Sequence, residues 1–476
     1  MLFNKIEFAY FFGIVYVLYW FVFSKNLKQQ NAVVLIASFF FFACFDWRFL
    51  FLLFFTIVLD FFIAHKIHNS QWHKKRWLWA SISINLSFLG IFKYYNFFIE
   101  NVAKIGNHFG WNHQEWALKI ILPVGISFYT FHGLSYVIDV YNGKIKPVDN
   151  FVNYSLFVSF FPLLVAGPIE RATHLLPQIQ TKRNFDYAKS VDGLRQILWG
   201  LVKKIVIADN CAVYVNSIFE APNQYSGSSL FVGCLLFSFQ IYGDFSGYSD
   251  IALGTARMLG FELFQNFSFP YFSKSSSEFW KRWHISLSSW FRDYVYIPLG
   301  GSRGSKFQSI RNVLIVFLLS GFWHGANFTF LFWGFLHVLF FLPSFVSADK
   351  QTRILEVNTN SAISTMTDFL KMTSTFLMVS FAWIFFRSSS ISVAFHYVDT
   401  LFSASLFQFP EVVPKTVIGY LLLFICIEWM GRNDLYAIEK LGLQWNKALR
   451  LGFYYLLTYL ILYYYGADFQ FLYFQF

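Results

Sequence analysis

Apolar stretches long enough to cross a lipid bilayer, or nearly so, recur along the whole sequence: Phe8 to Phe23, Phe49 to Ala64, Leu78 to Phe98, Leu230 to Ile241, Ile310 to Phe341, Phe369 to Phe386, Val417 to Trp429 and Leu451 to Tyr465. Hydrocarbon offers no water to a backbone N–H or C=O, so stretches of this length satisfy their own backbone as helices. Of 476 residues, 56% are hydrophobic, 23% aromatic and only 13% charged, which removes the soluble globular classes. The expected fold is an all-α polytopic membrane protein, one domain over residues 1–476, with about twelve transmembrane helices plus re-entrant or interfacial ones. The first stretch lacks a clean small-residue cleavage site and is expected to be retained.

The formal net charge of +11 does not point to nucleic acid, because the basic residues fall in loops between spans. Lys25 and Lys28 follow the first span, Lys66, Lys74, Lys75 and Arg76 the third, and Lys144 and Lys146 the fifth. Alternate basic loops place those loops in the cytoplasm and the N-terminus outside. Beyond residue 150 the alternation fails at Arg171, Lys182 and Arg183, so later segments are expected to re-enter or lie flat. Cys44, Cys211, Cys234 and Cys426 have no close spacing and read as small core residues rather than a disulfide framework or zinc site.

A polar group at bilayer depth is costly, so polar residues that interrupt apolar sequence carry the information. Three clusters do so. In "QIYGDFSGYSDIALG", Asp244 with Tyr248 and Ser246 with Asp250 fall one helical turn apart on a shared face, with no cation near them in sequence. The second, "SSSEFWKRWHISLSSWFRDYVYIPLGGSR", reads as an amphipathic helix at the interface. It has Trp283, Leu287, Trp290 and Tyr294 on one stripe and Arg282, Ser286, Ser289 and Asp293 on another, with His284 inside it and a stop at Pro298, Gly300 and Gly301. In the third, "LLSGFWHGANFTFLFWGF", His324 and Asn327 interrupt a very apolar run, and Gly321 and Gly325 allow another backbone or a substrate to come close. His337 and His396 lack such polar company and read as core or interface residues.

Together with "FYTFHGLSYVIDVY", "LVAGPIERA" and "GLVKKIVIADN", these clusters resemble the membrane-bound O-acyltransferase family, in its bacterial polysaccharide O-acetylation branch. The resemblance runs from about Ile120 to Trp333. It implies helices around a central tunnel, His324 as catalytic base and His284 as a second functional position. Arg282, Asp293 and Asn327 are weaker substrate-side candidates. It implies no metal and no bound cofactor; the donor substrate is acetyl-CoA or another acyl thioester. The setting it implies is the bacterial cytoplasmic (inner) membrane, crossed many times.

The resemblance also gives a reading of "FLYFQF", residues 471–476, where an aromatic chain end is otherwise unexpected. Bacterial members pass an acyl group to the tyrosine of such a hexapeptide, which makes Tyr473 the acyl shuttle. The implied partners are an exported serine-dependent O-acetyltransferase and, through it, a cell-envelope polysaccharide. D-alanyl or peptidoglycan acyl transfer by the same mechanism remains open, as does a lipid transporter, although no inverted repeat is visible, or a scaffold without enzyme activity.

Overall fold

The computed structural model describes residues 1–108, 120–165, 167–346, 366–466 and 471–472. Among the described residues the chain is helical throughout, without a strand. Among the described residues, five helices are long and apolar enough to cross a membrane: Leu27–Asp46, Arg48–Asn69, Gly227–Met258, Phe328–Phe345 and Met366–Arg387. Most of the remaining helices are shorter, so full-length spans alone do not supply the expected twelve crossings. Only 39% of the apolar window of Arg48–Asn69 is buried against protein, and large side chains such as Phe51, Phe62, Tyr10 and Leu462 are exposed, a surface suited to lipid.

The helices gather into two compact units, Met1–Val191 with Thr255–Phe264, and Asp192–Gly254 with Gln265–Phe476. In the first, Ile126–Tyr141 packs on Arg48–Asn69 and Lys74–Leu89 around a buried carboxylate. Asp60 there accepts from Ser81 (2.7 Å) and Asn85 (3.0 Å), which supplies the partners a polar group needs away from water. A second polar knot joins Glu170 to His174 at 2.8 Å, to the Phe264 N–H at 2.5 Å, and through its own N–H to His132 at 3.1 Å.

The long helix Gly227–Met258, which belongs to the second unit as far as Gly254, is the most enclosed of the spans, 78% of its window being buried. It can sit close to the preceding segment because glycines face it. A Cβ at Gly247 would come within 2.7 Å of the Gly200 carbonyl oxygen, and one at Gly254 within 2.4 Å of that of Gly193. The apolar run Ile310 to Phe341 is not one span. It is a hairpin of Lys306–His324 and Phe328–Val346, and its turn contains Gly325 and Asn327. Trp333 of the hairpin is fully buried with Trp283 and Trp383, stacked on Trp383 at 5.6 Å, while Trp283 lies 5.1 Å from Trp383.

Some expectations change. Cys211 and Cys234 are core residues, but Cys44 and Cys426 are exposed. His337 is buried and accepts from the Trp280 indole N–H at 3.3 Å, whereas His396 is exposed.

Candidate active site

His324 is the last residue of Lys306–His324, 5% exposed. Trp333 and Phe386 meet its ring edge to face at 5.2 Å each, and Trp323 lies 4.9 Å away. The flanking glycines admit the returning helix of the hairpin: a Cβ at Gly325 would sit 2.2 Å from the Phe330 ring, and one at Gly321 2.3 Å from the Phe330 carbonyl oxygen. It is therefore the chain's own backbone that Gly321 lets approach.

His284 does not lie within a continuous amphipathic helix. The segment breaks into Ser276–Arg282 and Ile285–Phe291, with Trp283 extended and His284 left-handed at φ 43 between them. Asn266 is the physical reason. Its carbonyl accepts from the Ile285 N–H at 2.9 Å, and its side-chain oxygen accepts from Ser286 Oγ at 2.9 Å and from the Ser286 N–H at 3.4 Å. His284 Nδ1 lies 3.0 Å from that same oxygen. An oxygen that takes these bonds is an acceptor, so Nδ1 donates and the lone pair is on Nε2. Ser286 is consequently buried, not on a solvated stripe. The turn at Gly300 and Gly301, both with positive φ, ends the segment where the sequence placed it.

The two imidazoles belong to one aromatic cluster. Trp323 lies 6.0 Å from His284 as well as 4.9 Å from His324, and Phe245 of the long helix meets His284 edge to face at 4.6 Å. The weaker candidates are engaged elsewhere: Arg282 pairs with Glu278 at 2.8 Å, Asp293 with Arg292 at 2.8 Å, and Asn327 binds the Ser389 carbonyl at 2.9 Å while accepting from the Thr329 N–H at 3.1 Å.

The long helix brings its aspartates to cations that local sequence did not show. Lys203 pairs with Asp250, and Lys204 pairs with both Asp244 (2.6 Å) and Asp209 (2.8 Å). Both lysines are buried on a π-helical turn, Val202–Ala208, of the kind that often marks functional positions. Next to Asp244 lie two residues of the C-terminal segment, Phe471 and Leu472, 0% and 3% exposed. Tyr473, the proposed shuttle, lies outside the described residues. Among the described residues no three His, Cys, Asp or Glu side chains gather as metal ligands do.

The model of the membrane-bound O-acyltransferase family matches residues 148–386, which include both imidazoles and the two buried lysines. A probable alginate O-acetylase of Pseudomonas aeruginosa is 38% identical over 420 residues, covering 86% of this chain and 78% of that protein. The chain belongs to the membrane-bound O-acyltransferase family. It is a multi-pass membrane acyltransferase. A peptidoglycan O-acetyltransferase of Helicobacter pylori is 36% identical over 83% of this chain and 78% of its own length. A teichoic acid D-alanyltransferase of Bacillus subtilis is 30% identical, over 46% of this chain and 58% of its own. For this acyltransferase, sequence reasoning missed Asn266, Lys203 and Lys204. Asn266 stands out only as an amide in the aromatic run "FQNFSFP", and the lysines only as adjacent charges in "GLVKKIVIADN".

Proposed function

We propose that this acyltransferase takes an acetyl group from a cytoplasmic thioester, acetyl-CoA or a related donor, and loads it on the Tyr473 phenol. From there an exported serine-dependent transferase delivers it to a cell-envelope polysaccharide, and the enzyme works in the bacterial inner membrane. The observation that supports this most is the shared aromatic cluster: Trp323 packs on both His324 and His284, and Phe245 extends the cluster from His284 to Phe471, two residues before Tyr473.

His324 is the general base. A phenol near 10 and an imidazole near 6.5 differ by roughly 3.5 units, or about 5 kcal/mol for complete prior transfer of the proton. Removal of the proton during attack avoids that state. The phenol oxygen bonds to the thioester carbonyl carbon, its proton passes to His324, and the C–S bond breaks to release the thiolate, which takes up a proton. His284, with its Nδ1 proton fixed on Asn266, orients the donor side. A phenol is a better leaving group than an alcohol, so thioester to aryl ester to sugar ester runs downhill. The O-acetylase relatives align over far more of this chain than the D-alanyltransferase does, which favours acetyl as the group carried.

Purified protein incubated with acetyl-CoA, without an exported partner, is expected to carry a hydroxylamine-labile acetyl group on Tyr473, read by mass spectrometry of the C-terminal peptide. His324→Ala is expected to lower that loading by at least about a hundredfold, and Tyr473→Phe to abolish it. Undiminished polymer acetylation in cells producing Tyr473→Phe would remove the shuttle, and undiminished loading in His324→Ala would remove the base.

A further inference from the structure

The backbone of the C-terminal segment meets a carboxylate of the long helix. The Leu472 N–H donates to Asp244 Oδ2 at 2.8 Å. The other carboxylate oxygen of Asp244 pairs with Lys204 Nζ at 2.6 Å, and Lys204 also reaches Asp209 at 2.8 Å. One turn along the same helix face, the Tyr248 ring packs on the Phe471 ring at 4.3 Å, and the Phe245 ring lies 6.2 Å from it. The carboxylate therefore receives main chain and the tyrosine receives side chain, from consecutive residues of the segment.

We propose that Asp244 is a positioning residue that docks the C-terminal segment by its backbone and so sets the register of residue 473. This rests on the reading of Tyr473 as acyl acceptor. Lys204 takes one carboxylate oxygen of Asp244 and the Leu472 N–H takes the other, so the buried charge is answered by one ammonium and one main-chain donor. A bond to main chain holds position without reading side-chain identity. The Phe471 ring on Tyr248 supplies the contact that distinguishes this segment from another apolar peptide.

The experiment replaces the 472 amide with an ester, by incorporating the α-hydroxy analogue of leucine into the full-length chain, which deletes the N–H and leaves every side chain in place. Tyr473 loading from acetyl-CoA is expected to slow by about tenfold to a hundredfold, as for loss of one hydrogen bond to a charged group. Asp244→Asn is the companion variant. An amide has one acceptor end, and the buried Lys204 ammonium claims it, which turns the NH2 end towards the Leu472 N–H and removes that bond. In Asp244→Asn the ester is expected to have no further effect. Docking is read separately from chemistry: a Leu472→Cys side chain is expected to resist a small maleimide in detergent, and to react at least about tenfold faster when Asp244→Asn is added. Normal loading by the ester protein, or equal labelling with and without Asp244→Asn, overturns the proposal. Absence of acetyl on wild-type Tyr473 overturns the acceptor reading instead, while the labelling comparison still decides the docking.

Discussion

At the scale of the residue, His284 is unusual because its backbone and its side chain make opposite demands. A left-handed φ of 43 suits glycine and costs another residue about 1 kcal/mol or more, yet an imidazole stands there, its Nδ1 fixed by Asn266. Replacing it therefore separates the two. His284→Ala and His284→Gly both delete the ring, but only glycine relaxes the backbone. His284→Gly is expected to be the more stable by about 1 kcal/mol, reversing the usual order, while both lose acyl transfer. Unfolding in detergent together with Tyr473 loading checks this, and a glycine variant no more stable than the alanine one would show that the local conformation had not survived. The histidines were legible because they interrupt apolar or aromatic runs. The break at His284 was not, since it is imposed by Asn266 from a separate stretch of chain, and a helical stripe drawn through Arg282, Ser286 and Ser289 cannot register it.

At the scale of the element, the long helix Gly227–Met258 is fixed from outside its own sequence. Glu411, in the loop before Lys415–Met430, accepts from Ser226 Oγ at 2.6 Å and from Ser229 Oγ, and so sets a carboxylate against the N-terminal end of the helix. The Ser226 hydroxyl, then that of Ser229, pull its pKa down to about 2. A carboxyl held low in the folded chain contributes stability above its ordinary value of about 4.5, and the contribution drains away as pH falls towards about 2. Glu411→Gln is expected to melt below the wild type at pH 7, and the gap to close between about pH 4.5 and pH 2. A gap that widens on acidification would contradict it. The shared face of Asp244 and Tyr248 was readable from helical spacing, and the structure fills it with Lys204 and Phe471. Neither partner is near in sequence, and the close approach depends on glycines whose missing side chains leave no apolar signal. The hairpin at His324 was hidden for a related reason: the polar turn from His324 to Asn327 is only four residues long, and apolar sequence resumes at once on either side of it.

At the scale of the whole molecule, composition decided the solvent and the helical class, while many helices are too short to be counted as spans from hydropathy alone. The orientation read from alternating basic loops is open to a direct check at Trp72, 88% exposed between Arg48–Asn69 and Lys74–Leu89. With the exposed Cys44 and Cys426 replaced, Trp72→Cys is expected to react with a membrane-impermeant maleimide only after cells are opened. Labelling in intact cells would invert the orientation. The burial of Phe471 and Leu472 within their own chain also bears on kinetics. An acyl carrier that is part of the enzyme is not gathered from solution at each cycle, so loading is first order in protein and unchanged by dilution. On the proposed Tyr473 shuttle each chain holds one acyl equivalent at most, so the acyl stock in transit is capped by the number of enzyme molecules.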